Sequence, residues 1–193
     1  MTRTVQRVID SRERTDMLAP IRIPNTEPET ELIDGRLVQK MSPKHRHQAL
    51  EKRWVAALDR WSDGAGEALA EWRHEFTAPG YRFASLVPDV AYMSNATSEA
   101  LGPAGLQTPA RAPEIAVEIL SSGESQTSLA WKIAAYLAAG TAVVFVVDPP
   151  RRTVIAHSRE AVTRFGPGQL VCHASMPGFA FAVDALFEGL HLG

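Results

Sequence analysis

Residues 87–93 read VPDVAYM, 113–120 PEIAVEIL, 127–140 TSLAWKIAAYLAAG and 142–149 AVVFVVDP. The runs over 114–120 and 142–147 are nearly continuous aliphatic sequence, the mark of strands buried on both faces. Between them Leu129, Ile133, Tyr136 and Leu137 recur at helical spacing, with Ser125 or Thr127 placed to cap the start and Gly140 to close the end. Strand, helix and strand with short joins predict a parallel pair linked by a right-handed crossover. At about 100° per residue, Lys132 falls roughly 60° from Leu129, on the flank of the apolar stripe, so it need not point to bulk solvent. Trp131 projects to the far side, as a contact surface or an idle exposed aromatic.

Two acids stand out in these runs. Glu118 follows Ile115, Ala116 and Val117 and precedes Ile119 and Leu120. A carboxylate in such a strand is costly unless it is paired or holds a metal. Alternation puts it on the face of Ala116 and Leu120, opposite Val117 and Ile119. Asp89 opens the other run after Pro88. If the two strands are neighbours, both carboxylates converge on one Mg²⁺ or Mn²⁺, a hard cation that takes oxygen ligands and water. Lys132 then orients or helps activate the attacking water and offsets charge on a pentavalent phosphate. Two carboxylates and a lysine on adjacent elements are what metal-assisted phosphodiester cleavage requires.

Outward from this centre, residues 31–41, ELIDGRLVQKM, predict two strands around a tight Asp34-Gly35 turn. Ser42-Pro43 follows as a helix start, the serine capping and the proline at the first helical position. Leu50, Trp54, Leu58 and Trp61 keep the helical period until the glycines at 64 and 66. His47 shares or borders that face and reads first as a packed core residue, second as a phosphate or water contact. His45 and His47 lack the partner ligands of a structural zinc site. Residues 67–76 alternate as one strand, residues 94–113 read as a long loop, and residues 153–159 and 162–165 read as later strands. The tail over 176–187 closes the apolar edge. The expected architecture is a mixed α/β domain over 21–193, preceded by a flexible arm over 1–20. Its central mixed sheet is flanked by helices, with an N-terminal β-hairpin and C-terminal strands.

The bulk composition is that of an ordinary globular chain of 193 residues with 45% hydrophobic residues, long enough for one domain with a sizeable core. One cysteine, Cys172, excludes an intrachain disulfide, and no apolar run reaches membrane-spanning length. The N-terminal residues mix both signs of charge and lack the apolar centre of a signal peptide, so the expected location is cytoplasmic. The net charge is −2, yet residues 36–60 carry +5 and the remainder −7. A concentrated basic segment is suited to phosphate contact, and equally to a solvated helix face.

The order and spacing of these motifs resemble the Uma2 family of the PD-(D/E)XK restriction-endonuclease-like superfamily. The resemblance runs over residues 31–186 and rests on ELIDGRLVQKMSP, the His47-Gln48 pair, VPDVAYM, PEIAVEILSSGES, the helix with Lys132 and Tyr136, and VVFVVDP. It implies a restriction-endonuclease-like central mixed sheet and a displaced nuclease triad. Pro88-Asp89 matches the PD, and Glu118 with Leu120 matches the (D/E)-X half. The lysine expected two residues on is replaced by Leu120 and comes from the next helix as Lys132. The chain departs from the family pattern at Leu86, where an arginine is common near the Pro-Asp pair, at Ser121-Ser122-Gly123, and at Ser128, where an acid is common. Glu31 and Glu75 are further acids that could complete the site, though each reads first as a surface or structural acid.

Three functional readings follow. The first is a Mg²⁺- or Mn²⁺-dependent endonuclease acting on nucleic acid, DNA before RNA, with Asp89, Glu118 and Lys132 in the catalytic roles. The second is a catalytically quiet nuclease-like module in which a Glu118–Lys132 ion pair satisfies both charges without metal. The third is a metal-dependent hydrolase of another phosphoester. Cutting both strands of a duplex calls for two centres, so a homodimer is expected, with Trp131 or the sheet edge as its contact.

Overall fold

The computed structural model describes residues 22–42, 44–121 and 125–190. The expected arm over 1–20 and the expected first helical residue, Pro43, lie outside the described residues. The hairpin is β1 (Thr30–Ile33) and β2 (Arg36–Gln39), paired antiparallel with Ile33 opposite Arg36. Its two-residue turn needs left-handed backbone twice, and Asp34 (φ 48°) and Gly35 (φ 75°) supply it. Helix α1 (His45–Ser62) starts two residues later than its expected proline start. Lys44, not Ser42, is the residue at its N-cap, and a lysine has no acceptor to offer the first-turn amides.

The chain next enters β3 (Gly66–Ala70) and β4 (His74–Phe76). The single strand expected over 67–76 is therefore broken. Glu71 adopts left-handed backbone (φ 51°), and the chain passes there from one sheet to another. It returns through β5 (Ala84–Leu86) and β6 (Val90–Ser94), with Val87, Pro88 and Asp89 at the second crossing. Proline has no N–H to continue a ladder, so a sheet switch at Pro88 costs no backbone hydrogen bond. The two crossings lie together, since the Glu71 N–H donates to the Asp89 carbonyl at 3.2 Å.

The long loop expected over 94–113 instead contains α2 (Asn95–Gln107), capped by Ser94 and interrupted at Gly102 (φ 66°), with Pro103 after the break. None of its residues is buried, so no apolar period marks it. Then come β7 (Ile115–Ile119), α3 (Gln126–Ala138) and β8 (Val143–Asp148), with β7 and β8 parallel as expected. Ser125 is the α3 cap, accepting from the Ser128 N–H. Strands β9 (Thr153–His157), β10 (Val162–Phe165), β11 (Leu170–Val171) and β12 (Phe181–Ala182) lead to the short α4 (Val183–Phe187).

The central sheet runs β10-β9-β8-β7-β6-β3, mixed in direction, and a smaller sheet runs β2-β1-β5-β4. One face of the central sheet buries Val117, Ile119 and Phe145 against Leu50, Trp54 and Leu58 of α1 and Val183 and Leu186 of α4. The other buries Ala116 and Val144 against Ala135 and Tyr136 of α3, with Ile33, Phe76 and Leu86 of the smaller sheet. The result is the expected mixed α/β fold, a restriction-endonuclease-like central sheet with helices on both faces. Trp131 is not an idle exposed aromatic. It is half-buried, packs on this second core and meets Tyr81 edge to face, ring centroids 5.7 Å apart. The buried residues of α3 are Lys132, Ala135 and Tyr136, which sets Lys132 at the centre of the inward face rather than on its flank.

Candidate active site

Strand pairing brings the two acids together. Val90 faces Val117 across the antiparallel β6–β7 ladder, so one step outward Asp89 lies opposite Glu118. Both are buried, and Asp89 is anchored because the Ile119 N–H donates to its Oδ2 at 2.6 Å. Glu118 points to the α3 face, where Lys132 Nζ approaches its Oε2 at 2.6 Å. Lys132 also lies 3.3 Å from Glu31 of β1. Glu31 in turn accepts the Val87 N–H at 2.8 Å, the amide that the sheet switch leaves without a strand partner. Three segments distant in sequence are thus tied at one point by charged hydrogen bonds in a region of low dielectric.

His47, on the first turn of α1, places Nε2 3.2 Å from Asp89 Oδ1 and 3.3 Å from Glu51 Oε1. Burial alone would lower the His47 pKa, but its close contacts with the Asp89 and Glu51 carboxylates outweigh it and raise the pKa to about 10. Lys40, just past β2, donates from Nζ to Asp89 Oδ1 at 2.8 Å and to the Val87 carbonyl at 2.9 Å. For Asp89, burial favours the neutral acid. The Lys40 ammonium and His47 override it and hold the carboxyl far below its usual range. For Glu118, burial dominates. Together with the Asp89 and Glu31 carboxylates it raises the pKa against the opposing pull of Lys132.

Glu31, His47, Asp89, Glu118 and Lys132 line one pocket of about 400 Å³. Its walls include the N-terminal ends of two helices, Lys44 and Arg46 at α1 and Ser125 and Ser128 at α3. Both helix N-termini bring the positive pole of a helix dipole to the pocket wall. Glu75 is not among the lining residues. It sits on β4 and accepts from Ser85 Oγ at 3.1 Å.

The donor set suits a hard divalent cation. Asp89 and Glu118 offer carboxylate oxygens, and Glu118 Oε1 is a buried acceptor with no hydrogen-bond partner. The Tyr136 hydroxyl couples to Glu118 electrostatically, yet neither atom meets hydrogen-bond geometry. On the other side of Asp89, His47, Glu51 and Asp89 each bring one possible ligand atom within 4.8 Å of the others. Glu51 and Lys40 were not singled out from sequence. Glu51 was legible in principle, being four residues after His47 and so on its helix face. Lys40 carried no local signal beyond its place in a basic segment.

Comparison with known proteins gives the family and the fold. The profile of a family described as Uma2, "Putative restriction endonuclease", matches residues 18–184. A crystal structure described as a putative nuclease belonging to DUF820, from Anabaena variabilis, superposes with a TM-score of 0.74 at 27% sequence identity, over 85% of this chain and 92% of that one. No curated protein matches the chain.

Proposed function

The chain belongs to the Uma2 family, and on that premise we propose that it is a divalent-metal-dependent endonuclease that hydrolyses phosphodiester bonds in DNA. The observation that carries this reading is the pocket itself, where Asp89, Glu118 and Lys132 lie beneath two helix N-termini with Lys44 and Arg46 at the rim. Acids inside and positive poles outside suit a cation below and a phosphate above. Asp89 and Glu118 would hold Mg²⁺ or Mn²⁺, which supplies Lewis-acid polarisation of the phosphate and a water of lowered pKa. Lys132 donates to Glu118, opposing the protonation that burial favours, and presents a positive charge beside the developing phosphorane. Glu31 positions Lys132 from the opposite side. His47, carrying a proton at neutral pH, is placed to contact a phosphate oxygen.

Double-strand cleavage would need two such pockets, so we read the working unit as a homodimer in the cytoplasm. Among the described residues, no helix is long and apolar enough to cross a membrane.

The deciding experiment is nicking of supercoiled plasmid in Mg²⁺ and in Mn²⁺ by the parent, Asp89→Asn and Lys132→Ala. Metal-dependent nicking by the parent, lowered by about 10² or more in both variants, is the expected result. Nicking that survives in both variants would remove these residues from catalysis. A parent that neither nicks nor binds metal would favour the quiet-module reading, to which the closed Glu118–Lys132 and Asp89–Lys40 pairs lend their own support.

A further inference from the structure

The chemistry above gives no role to the half-buried ammonium of Lys40. The Lys40 backbone N–H donates to Glu29 O at 2.8 Å, which fixes the residue at the exit of the hairpin. Its Nζ then lies 2.8 Å from Asp89 Oδ1, 2.9 Å from the Val87 carbonyl and 3.2 Å from Glu71 Oε1. An oxygen from a carboxylate, one from a carbonyl and one from a second carboxylate are the ligand types that a hard cation takes. Here they surround an ammonium.

Asp89 has little capacity left beyond these contacts. The Ile119 N–H occupies Oδ2, while Lys40 and His47 share Oδ1. A protonated histidine can give up its ring proton and become a ligand itself. An ammonium has no lone pair to give, and its charge repels a dication a few ångströms away. We propose that Lys40 is a tethered counter-ion for Asp89 that a divalent cation must displace, so that this residue sets the metal concentration at which the site loads.

The hairpin permits the exchange. Gln39 and Met41 on either side are exposed, and Lys40 lines the rim of the pocket on an unbranched stem. The ammonium can therefore swing to water without unpacking either core. Its departure leaves Asp89 and Glu71 open to the incoming cation.

The inference rests on the metal reading proposed above, and the test separates the two. Mn²⁺ is titrated calorimetrically into the full chain, its Lys40→Gln variant, and Asp89→Asn made in both backgrounds. Lys40→Gln is expected to bind Mn²⁺ roughly tenfold or more tighter than the parent, since it loses a full like charge next to the ligand. Asp89→Asn should weaken binding in both. Equal or weaker binding by Lys40→Gln overturns the counter-ion role and leaves the nuclease reading standing. Absence of binding in parent and variant alike removes the metal reading, and the inference with it. Should Lys40→Gln fail to fold, acetylation of the parent followed by mass spectrometry carries the test. Saturating Mg²⁺ is expected to speed acetylation at Lys40 several-fold, and an unchanged rate refutes displacement.

Discussion

Strand β7 divides the molecule in two. Its residues Ile115, Val117 and Ile119 enter a core built with Trp54, Phe145 and Phe179, whose rings lie within 6.2 Å of one another between centroids. Its residues Ala116 and Glu118 face α3, where Lys132 takes the place that a leucine would hold in an ordinary helix. One strand thus contributes stability on alternate residues and chemistry on those between. Each side also leaves buried polar atoms without a hydrogen bond, Trp54 Nε1 among the hydrocarbon of the first and Glu118 Oε1 beside the acids of the second among them. The indole N–H is a donor among hydrocarbon and only lowers stability. The carboxylate oxygen is an open ligand position beside other acids. The same accounting deficit therefore has opposite meanings on the two faces.

The sharpest way to break this contrast is to empty each side. Trp54→Ala should destabilise the fold by about 3–5 kcal/mol in urea unfolding, because a fully buried indole and its ring contacts are lost together. A loss under about 1 kcal/mol would mean that the α1 face does not hold the fold. On the other side, Lys132→Met alone strands Glu118 and Glu31 without their shared cation, and a loss of about 3 kcal/mol is expected. The double variant Glu118→Leu with Lys132→Met should recover most of it, since a buried ion pair adds little over apolar residues of similar size. A double variant no more stable than Lys132→Met would show that this face too is built for stability.

Two histidines, the buried His74 and the half-buried His47, extend the contrast to pH. His74 on β4 is fully buried, contacts the Arg111 carbonyl at 3.0 Å through Nδ1, and has its pKa lowered to about 4 by desolvation. His47 at the site has its pKa raised to about 10. For His74 the unfolded chain, near pKa 6.5, binds more protons than the folded one between pH 6.5 and about 4. Its contribution is complete above pH 6.5 and is lost as pH falls towards 4, by up to about 3 kcal/mol. For His47 the sign reverses. Its contribution is complete below pH 6.5 and is lost as pH rises towards 10. Unfolding measured against pH should show His74→Gln flattening the acid limb alone, and His47→Gln the alkaline limb alone. Unchanged limbs would mean that the titrating groups lie elsewhere.

The residues that were legible from sequence are those whose local surroundings make them anomalous. Glu118 stands out because a carboxylate in IAVEIL cannot be an ordinary strand residue, and Asp89 because it follows a proline at the head of a buried run. The spacing of Leu129, Ile133, Tyr136 and Leu137 puts Lys132 on the flank of the inward stripe, whereas the buried face is centred on Lys132 itself, with Ala135 and Tyr136 beside it. Lys40 and Glu51 look like solvated charges in their own segments and acquire a role only when the hairpin and α1 meet Asp89. The broken strand over 67–76 fails for a related reason. Alternation continues through Ala68, Trp72, His74 and Phe76, but the switch between sheets at Glu71 is set by tertiary pairing that no local pattern records. Helix α2 buries nothing, so hydrophobic period had nothing to report.

The smallest expected effect marks where the reactive region ends. Glu75 is an acid on a strand of the smaller sheet, and from sequence alone it is as plausible a site residue as Glu31. The two now differ in their partners. Glu31 reaches Lys132 and the Val87 amide inside the pocket, whereas Glu75 accepts from Ser85, whose hydroxyl also accepts from Arg73 at 2.8 Å. Gln at position 75 keeps an acceptor for Ser85, so Glu75→Gln should alter stability by less than about 1 kcal/mol and leave metal affinity and nicking at the parent level. Glu31→Gln keeps the acceptor for Val87 but takes a negative charge from beside Lys132, and should lower nicking. If the two variants fell in activity together, the reactive region would extend from the pocket into β4.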